Sequence, residues 1–202
     1  MSEKIIGAEE QKVGGFHDTD SKKCFDSTEE AKSNYTALRD RFFNFNEWHT
    51  YAGELTATFI HYNAKGQEIQ RSPEVGDFLK IDIPGPGSTA GKGFDWVKIT
   101  KIDEKPYDND ARCLIVCVPS INPLADYVED VAHFYSDKAS SNFVIRRIGN
   151  CLYAEIHGRN EVGNVKTKNI PDQIRNAVVS LMGRAGLAKI QWKNLANGLL
   201  QF

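Results

Sequence analysis

The densest set of chemistry-bearing side chains is the run His157-Gly158-Arg159-Asn160-Glu161, with Asn164 close behind. A guanidinium at Arg159 suits a carboxylate, a carboxylate at Glu161 suits an amine, and His157 brings an imidazole, the side-chain type most used in acid–base chemistry. Gly158 and Gly163 permit backbone angles that other residues avoid. The run reads as a polar anchor at the mouth of a pocket, with Asn160 among its members. The plainer reading is a solvated strand end carrying an Arg–Glu pair. Trp48 and Trp96 are the candidate apolar contacts of the same ligand site. Trp48 belongs to an aromatic-rich window that also holds Phe42, Phe43, Phe45, Tyr51, Phe59 and Tyr62. Lys and Arg are sparse in that window, whereas a single-strand nucleic-acid groove interleaves aromatics with cations.

Other patterns fail on inspection. Residues 85–93 read GPGSTAGKG, close to a phosphate-binding loop. Pro86 stands where that loop needs its first glycine, and Gly93 where it needs the metal-binding hydroxyl. A strand-like run, FDWVKI, follows instead of a helix, so no helix N-terminus faces a phosphate. The segment reads as a long hairpin loop or a lid over a pocket. Asp126, Glu129, Asp130 and His133 would share one helix face, but without a second histidine nearby they read as a solvated acidic surface. The five histidines are scattered, and no G-x-S-x-G elbow is present. No catalytic residue, metal or cofactor is assigned.

The four cysteines are Cys24, Cys113, Cys117 and Cys151. Cys113 and Cys117 lie on one face of a strand, roughly 13 Å apart at about 3.3 Å per residue, too far for a disulfide or a shared zinc. All four are expected to be reduced thiols. The N-terminus lacks a basic start and an apolar core of signal-peptide length, and no run approaches a membrane span. The expected location is cytoplasmic, with no membrane. With 202 residues, 41% hydrophobic and 26% charged, the chain can bury a sizeable core. Its net charge of −2 supplies no general attraction to nucleic acid.

The elements that must position these residues follow from periodicity. Residues 1–26 lack it and are expected to form a mobile or loosely docked arm before a single domain over 27–202. Ser27 with Glu30 fits a capping box, and Ala31, Tyr35, Leu38, Phe42 and Phe45 form a helical stripe, giving a helix over about 28–50. Strands are expected over 54–63, 67–71, 75–83, 96–102 and 112–118. The last of these is apolar on both faces and therefore central. Leu124–Tyr135 has helical spacing. Asn142–Ile148 and Cys151–His157 flank Gly149-Asn150, a two-residue hairpin signal. From Pro171 onward the chain is helical, interrupted near Gly183 and Gly186, with Ile190, Leu195 and Leu199 on the apolar face.

Strands grouped between helices indicate an α+β fold. A curved, largely antiparallel sheet of about seven strands would pack on a long C-terminal helix, with a further helix at the N-terminus. The alternative is a small β-barrel over 54–118 with helices outside. A sheet curled around a helix leaves room for a cavity. The leading reading is a non-enzymatic domain that holds an apolar or amphipathic small molecule between sheet and terminal helix. The second is a structural or adaptor subunit, docking a protein partner or a second copy through the arm or the Leu199–Phe202 end. The third is an enzyme with a spatially assembled site around His157, Arg159 and Glu161.

Overall fold

A computed structural model describes residues 7–53, 56–83, 88–106, 110–125, 130–164 and 187–202. Seven antiparallel strands form one open sheet: β1 (Gly15–Cys24), β2 (Thr58–Tyr62), β3 (Phe78–Asp82), β4 (Asp95–Pro106), β5 (Asp110–Pro119), β6 (Ser140–Ile148) and β7 (Cys151–Glu161). Their order is β1-β7-β6-β5-β4-β3-β2, so β5 is central, as its two apolar faces require. Cys113, Ile115 and Cys117 face the main core, whereas Leu114 and Val116 pack on the opposite side with Val144. The β6–β7 hairpin turns at Gly149-Asn150, with Gly149 at φ 57°. Positive φ at the first central position alone is the type II′ pattern.

The helices are α1 (Thr28–Phe43), α2 (Trp48–Ala52) and α3 (Leu187–Leu199), with a 3-10 turn over Phe45–Glu47. Ser27 caps α1, its Oγ accepting the Glu30 backbone N–H at 3.1 Å. The helix expected over 28–50 breaks at Asn44. That bend turns both Phe45 and Trp48 inward, their ring centroids 4.8 Å apart. The Trp48 indole N–H then donates to the carbonyls of Arg41 and Phe42 in the last turn of α1, the Arg41 carbonyl also accepting the Asn44 N–H.

The three helices of the described residues pack on one face of the sheet, which is bent around them. In a flat sheet six inter-strand steps would set β1 and β2 about 29 Å apart. Yet Trp192 of α3 lies 6.4 Å from His17 on β1 and 6.3 Å from Phe59 on β2, ring centroid to ring centroid. One indole therefore meets both edge strands. Ser21 Oγ donates to Asn197 Oδ1 at 2.6 Å and ties α3 to β1. Gly198 lets α3 approach α2, because a Cβ there would fall 1.8 Å from the Tyr51 carbonyl oxygen. Leu195 and Leu199 are buried as expected, but Ile190 is 60% exposed and lies off the packed face.

Several expectations are corrected. Residues 15–24 are not an arm but the edge strand β1, paired along β7. Their polar, Lys-containing outer positions conceal a strand whose inner positions, Thr19 and Ser21, are small and polar too. The described residues of 124–135 are turns and extended chain rather than helix, Ala132 donating its N–H to Ser120 O. Residues 67–71 form only an isolated bridge, Tyr62–Glu68. A barrel over 54–118 is excluded, since β5 continues the sheet into β6. The helical region expected from Pro171 to Gly186 lies outside the described residues; α3 accounts for its last part.

Cys24 and Cys151 face each other in the β1–β7 register and form a disulfide. Reading only neighbours in sequence could not find a pair 127 residues apart. Cys113 and Cys117 remain free and buried. Disulfides persist in oxidising compartments, so cysteine chemistry gives the cytoplasmic expectation no support. Among the described residues no helix is long and apolar enough to cross a membrane. On the chain-entropy account a bridge closing this span restrains the unfolded chain by about 5 kcal/mol, and measured bridges typically contribute about 2–4. Replacing both Cys24 and Cys151 with Ser should therefore lower the unfolding free energy by about 2–4 kcal/mol. Equilibrium urea denaturation of the two proteins measures this, and an unchanged midpoint would contradict it.

Candidate functional site

Between the bent sheet and the helices lies a cavity of about 580 Å³. Its apolar wall comes from every layer: Trp48 and Ala52 from α2, Phe59 from β2, Leu79 and Ile81 from β3, Val97 from β4, Phe143 from β6, Trp192 and Leu195 from α3. The inward positions alternate along each strand with residues of the other face, which is why one side of the sheet supplies them all. Cys117 also reaches the cavity. Burial pushes its thiol up to about 12, so it stays protonated at neutral pH and is no nucleophile.

The polar end is built by a bulge. His17 of β1 pairs with Gly158 of β7, but Gly15 pairs with Glu161, so β7 carries one extra residue. Asn160 takes a φ of 55° there. Inward facing passes from Ile156 and Gly158 to Glu161 instead of to Asn160. The His17 Nδ1–H then meets Glu161 Oε1 at 2.7 Å, directly above Gly158. A Cβ on Gly158 would stand 2.1 Å from Glu161 Oε1 and 2.4 Å from the His17 ring. Glycine is thus needed for space here, not for a turn. Across Gly158 on β6 stands Ser141, which shares the cavity wall with His17 and Glu161. His17 Nε2 is buried and has no hydrogen-bond partner among the described residues.

The segment expected to hang loose locks this bulge. Asn160 Oδ1 accepts the backbone N–H groups of Lys12 and Val13 at 2.7 and 3.1 Å, and Asn160 Nδ2 donates to Glu10 O. Gln11 Oε1 accepts the Asn160 N–H. These bonds hold a non-glycine residue in the left-handed region and identify Asn160 as an architectural residue. The chain continues across the outer face, where Lys101 Nζ donates to Gly7 O.

Of the six residues expected to contact a ligand, Trp48 and Glu161 line the cavity. His157, Arg159, Asn160 and Trp96 do not. Trp96 lies on the outer face, edge-on to Tyr62 at 5.2 Å, with Phe78 and Ala132. The described part of the glycine-rich loop, 88–93, is folded on that same side: a Cβ on Gly91 would lie 3.3 Å from Trp96 Cδ1. It lines no part of the cavity, and residues 84–87 lie outside the described residues. His133 does line the cavity, beside Phe134 and Tyr135, but as part of a non-helical segment. Among the described residues no three His, Cys, Asp or Glu side chains form a metal-binding group; of the expected acidic face, Asp126 and Glu129 lie outside them. The residue that sequence reading missed is His17. Its strand gave no periodic signal, and its partner Glu161 is 144 positions away.

His157 and Arg159 instead build a charge ladder on the outer face. Asp18 Oδ1 accepts from His157 Nδ1 at 2.7 Å and from Arg159 Nη2 at 2.6 Å. Glu155 meets His157 Nε2 at 3.1 Å and the Arg146 guanidinium. Burial pushes the Asp18 and Glu155 carboxyls up, but their His157, Arg159 and Arg146 partners outweigh it and hold both below their ordinary values. A depressed carboxyl pKa adds stability that is complete above the unfolded value and disappears as pH falls through the folded one. Stability should therefore drop as pH falls below about 4, and replacing His157 with Gln should flatten that drop. Thermal melts from pH 7 to pH 3 measure it. A second consequence concerns the bulge: Gly158→Ala must part His17 from Glu161 or shift β1, at a cost of about 1–3 kcal/mol. An unaltered melting temperature in that variant would contradict the close approach.

No protein-family model matches the sequence, and neither does any curated protein. Three solved structures show what the chain is similar to. A hypothetical protein from Helicobacter pylori, jhp0584, aligns over 92% of this chain and 88% of its own, with 8% identity and a TM-score of 0.47. Ara h 8.0201 aligns over 93% of this chain and all of its own, with 11% identity and a TM-score of 0.33, and a protein from Arthrobacter aurescens solved by NMR aligns over 90% of this chain and 85% of its own, with 11% identity and a TM-score of 0.34. At these identities and scores the likenesses say nothing of ligand or activity.

Proposed function

We propose that this protein binds an apolar or amphipathic small molecule in the cavity between the sheet and α3. The observation that carries the reading is the cavity itself. Its volume of about 580 Å³ falls within the ~300–1,000 Å³ range of small-molecule sites. Its wall is mostly aliphatic and aromatic, with the polar groups gathered around His17 and Glu161. Apolar surface facing a cavity gains free energy when a ligand covers it, about 25 cal/mol for each Å² removed from water.

The enzyme reading based on His157 loses its geometric basis, because both ring nitrogens of that residue are engaged by carboxylates on the outer face. Trp48 and Trp192 stand in the cavity wall, so occupancy should change the tryptophan emission. The test is native mass spectrometry of the purified protein together with titration by the neutral fluorophore N-phenyl-1-naphthylamine. A bound apolar species, or saturable enhancement of the probe, is the expected result. Val97→Phe, which fills the cavity from β4, should weaken probe binding at least tenfold while the protein stays folded. A protein that carries nothing and leaves the probe unchanged would overturn the reading.

A further inference from the structure

We infer that the protein has a second small-molecule site, which takes an organic cation that donates hydrogen bonds, an ammonium or a guanidinium, with one N–H on His61 Nδ1. The site shares no lining residue with the cavity described above and goes beyond the reading of that cavity. It is a polar cavity of about 310 Å³, at the lower end of the size range of small-molecule sites. The end of α1, the 3-10 turn, β2 and residues 70–72 enclose it. Phe43 and Phe45 give it an apolar side, and His61, Asp40 and Glu47 stand in its polar wall. The Phe45 ring lies edge-on to His61 and also to Trp48, which belongs to the wall of the first cavity.

His61 is held on every side but one. Its side chain is only 2% exposed. Its backbone N–H donates to Asn46 Oδ1 at 2.9 Å, and its carbonyl accepts the Ile69 N–H at 2.9 Å. The ring meets Asp77 Oδ2 through Nε2 at 3.0 Å. Asp77 in turn accepts two N–H groups of Arg71, at 2.9 and 3.0 Å, and the Glu74 N–H at 2.9 Å. A carboxylate that accepts on both oxygens has no proton to give, so the imidazole is the donor and Nε2 carries the hydrogen. Burial pushes the ring's pKa down and outweighs the Asp77 carboxylate, which pushes it up. The imidazole is therefore neutral at neutral pH, and Nδ1 keeps its lone pair. Nδ1 makes no hydrogen bond among the described residues, and it is not one of the polar atoms the protein encloses completely. Its opening is the cavity that the ring lines.

The charge around that opening is negative. Arg39 donates twice to Glu104, at 2.8 and 3.0 Å. Arg71 is held by Asp77 and, at 3.2 Å, by Glu74. Both guanidiniums of the wall thus have carboxylate partners already. Asp40 and Glu47 are exposed in the same wall and form no ion pair among the described residues. A ligand carboxylate would meet acceptors only at Nδ1, Asp40 and Glu47. A neutral alcohol gains the bond to Nδ1 and leaves the two carboxylates as they are. An ammonium or guanidinium donates to Nδ1 and also meets their charge. A metal ion does not fit, since among the described residues no three His, Cys, Asp or Glu side chains form a metal-binding group.

The experiment titrates agmatine, which carries an ammonium and a guanidinium, into the isotopically labelled full chain at pH 7.5. Butanediol and glutarate serve as the neutral and anionic probes, and long-range proton–nitrogen spectra follow the imidazole rings. In the free protein His61 should show a protonated Nε2 and a bare Nδ1. Agmatine should shift the Nδ1 resonance saturably, with a Kd about tenfold below those of butanediol and glutarate, because hydrogen bonds from charged donors are roughly twice as strong as neutral ones. The double replacement Asp40→Asn, Glu47→Gln changes two exposed side chains that make no hydrogen bonds. It should keep the melting temperature and raise the Kd of agmatine about fivefold. N-phenyl-1-naphthylamine in the first cavity should stay bound throughout. A proton on Nδ1 in the free protein overturns the inference. So does equal binding of glutarate or butanediol, a Kd of agmatine that the double replacement leaves unmoved, or the lack of any saturable shift. None of these touches the reading of the first cavity. Displacement of N-phenyl-1-naphthylamine by agmatine would move its binding to that cavity and likewise overturn the inference. Agmatine bound at His61 in a chain that takes up no naphthylamine supports it while the reading of the first cavity falls.

Discussion

The bend of the sheet around α3 is the constraint on which the rest of the structure depends. Seven strands in one open sheet have two distant edges, and here both edges reach the same indole, Trp192. A flat sheet would leave the helices lying on a plane, with their far sides in water. The bend lets Trp48, Phe59, Phe143 and Trp192 meet from four separate elements, three of the pairs edge to face and Phe59–Trp192 tilted at 38°. Such aromatic contacts contribute beyond their area. Large rings that meet at angles also fill a curved space incompletely, and the cavity is where the filling stops.

One extra residue in β7 determines which chemistry faces that space. Because side chains alternate along a strand, a single bulge exchanges the faces of everything beyond it. Without it Glu161 would follow Arg159 and His157 to the outer face. With it the outer face keeps a ladder of compensated charges, and the inner face receives one carboxylate paired with His17. Three local features cooperate: Gly158 clears room for the pair, Asn160 accepts the left-handed backbone, and the segment 10–13 ties Asn160 down. The residues that look most reactive in the sequence are thus divided between architecture and site. His157 and Arg159 stabilise the β1–β7 pairing, and only Glu161 faces the cavity.

Local signals were readable wherever a residue's own neighbours decide its structure. The Ser27 cap, the Gly149-Asn150 turn and the central position of β5 follow from side-chain chemistry and from apolar residues on both faces of one run. Signals failed where a distant partner decides. Residues 15–24 are too polar to announce a strand, and become one because β7 offers a ladder along their whole length. The 124–135 segment has helical spacing, yet among its described residues Ala132 bonds to Ser120 and Trp96, and Phe134 to Asn164, instead. The Cys24–Cys151 bridge was hidden for the same reason, since its register exists only once β1 is in place.

The sequence by itself determined the fold class, the antiparallel grouping of the strands, and an aromatic-rich inner layer that includes Trp48. Periodicity and turn chemistry are properties of a few consecutive residues, so they survive without the fold. Tertiary structure alone decided that His17 is the partner of Glu161, that Arg159 and Trp96 face away from the cavity, and that two cysteines are joined. Each of these depends on strand register, and register is set by pairing between segments more than a hundred residues apart in the case of β1 and β7.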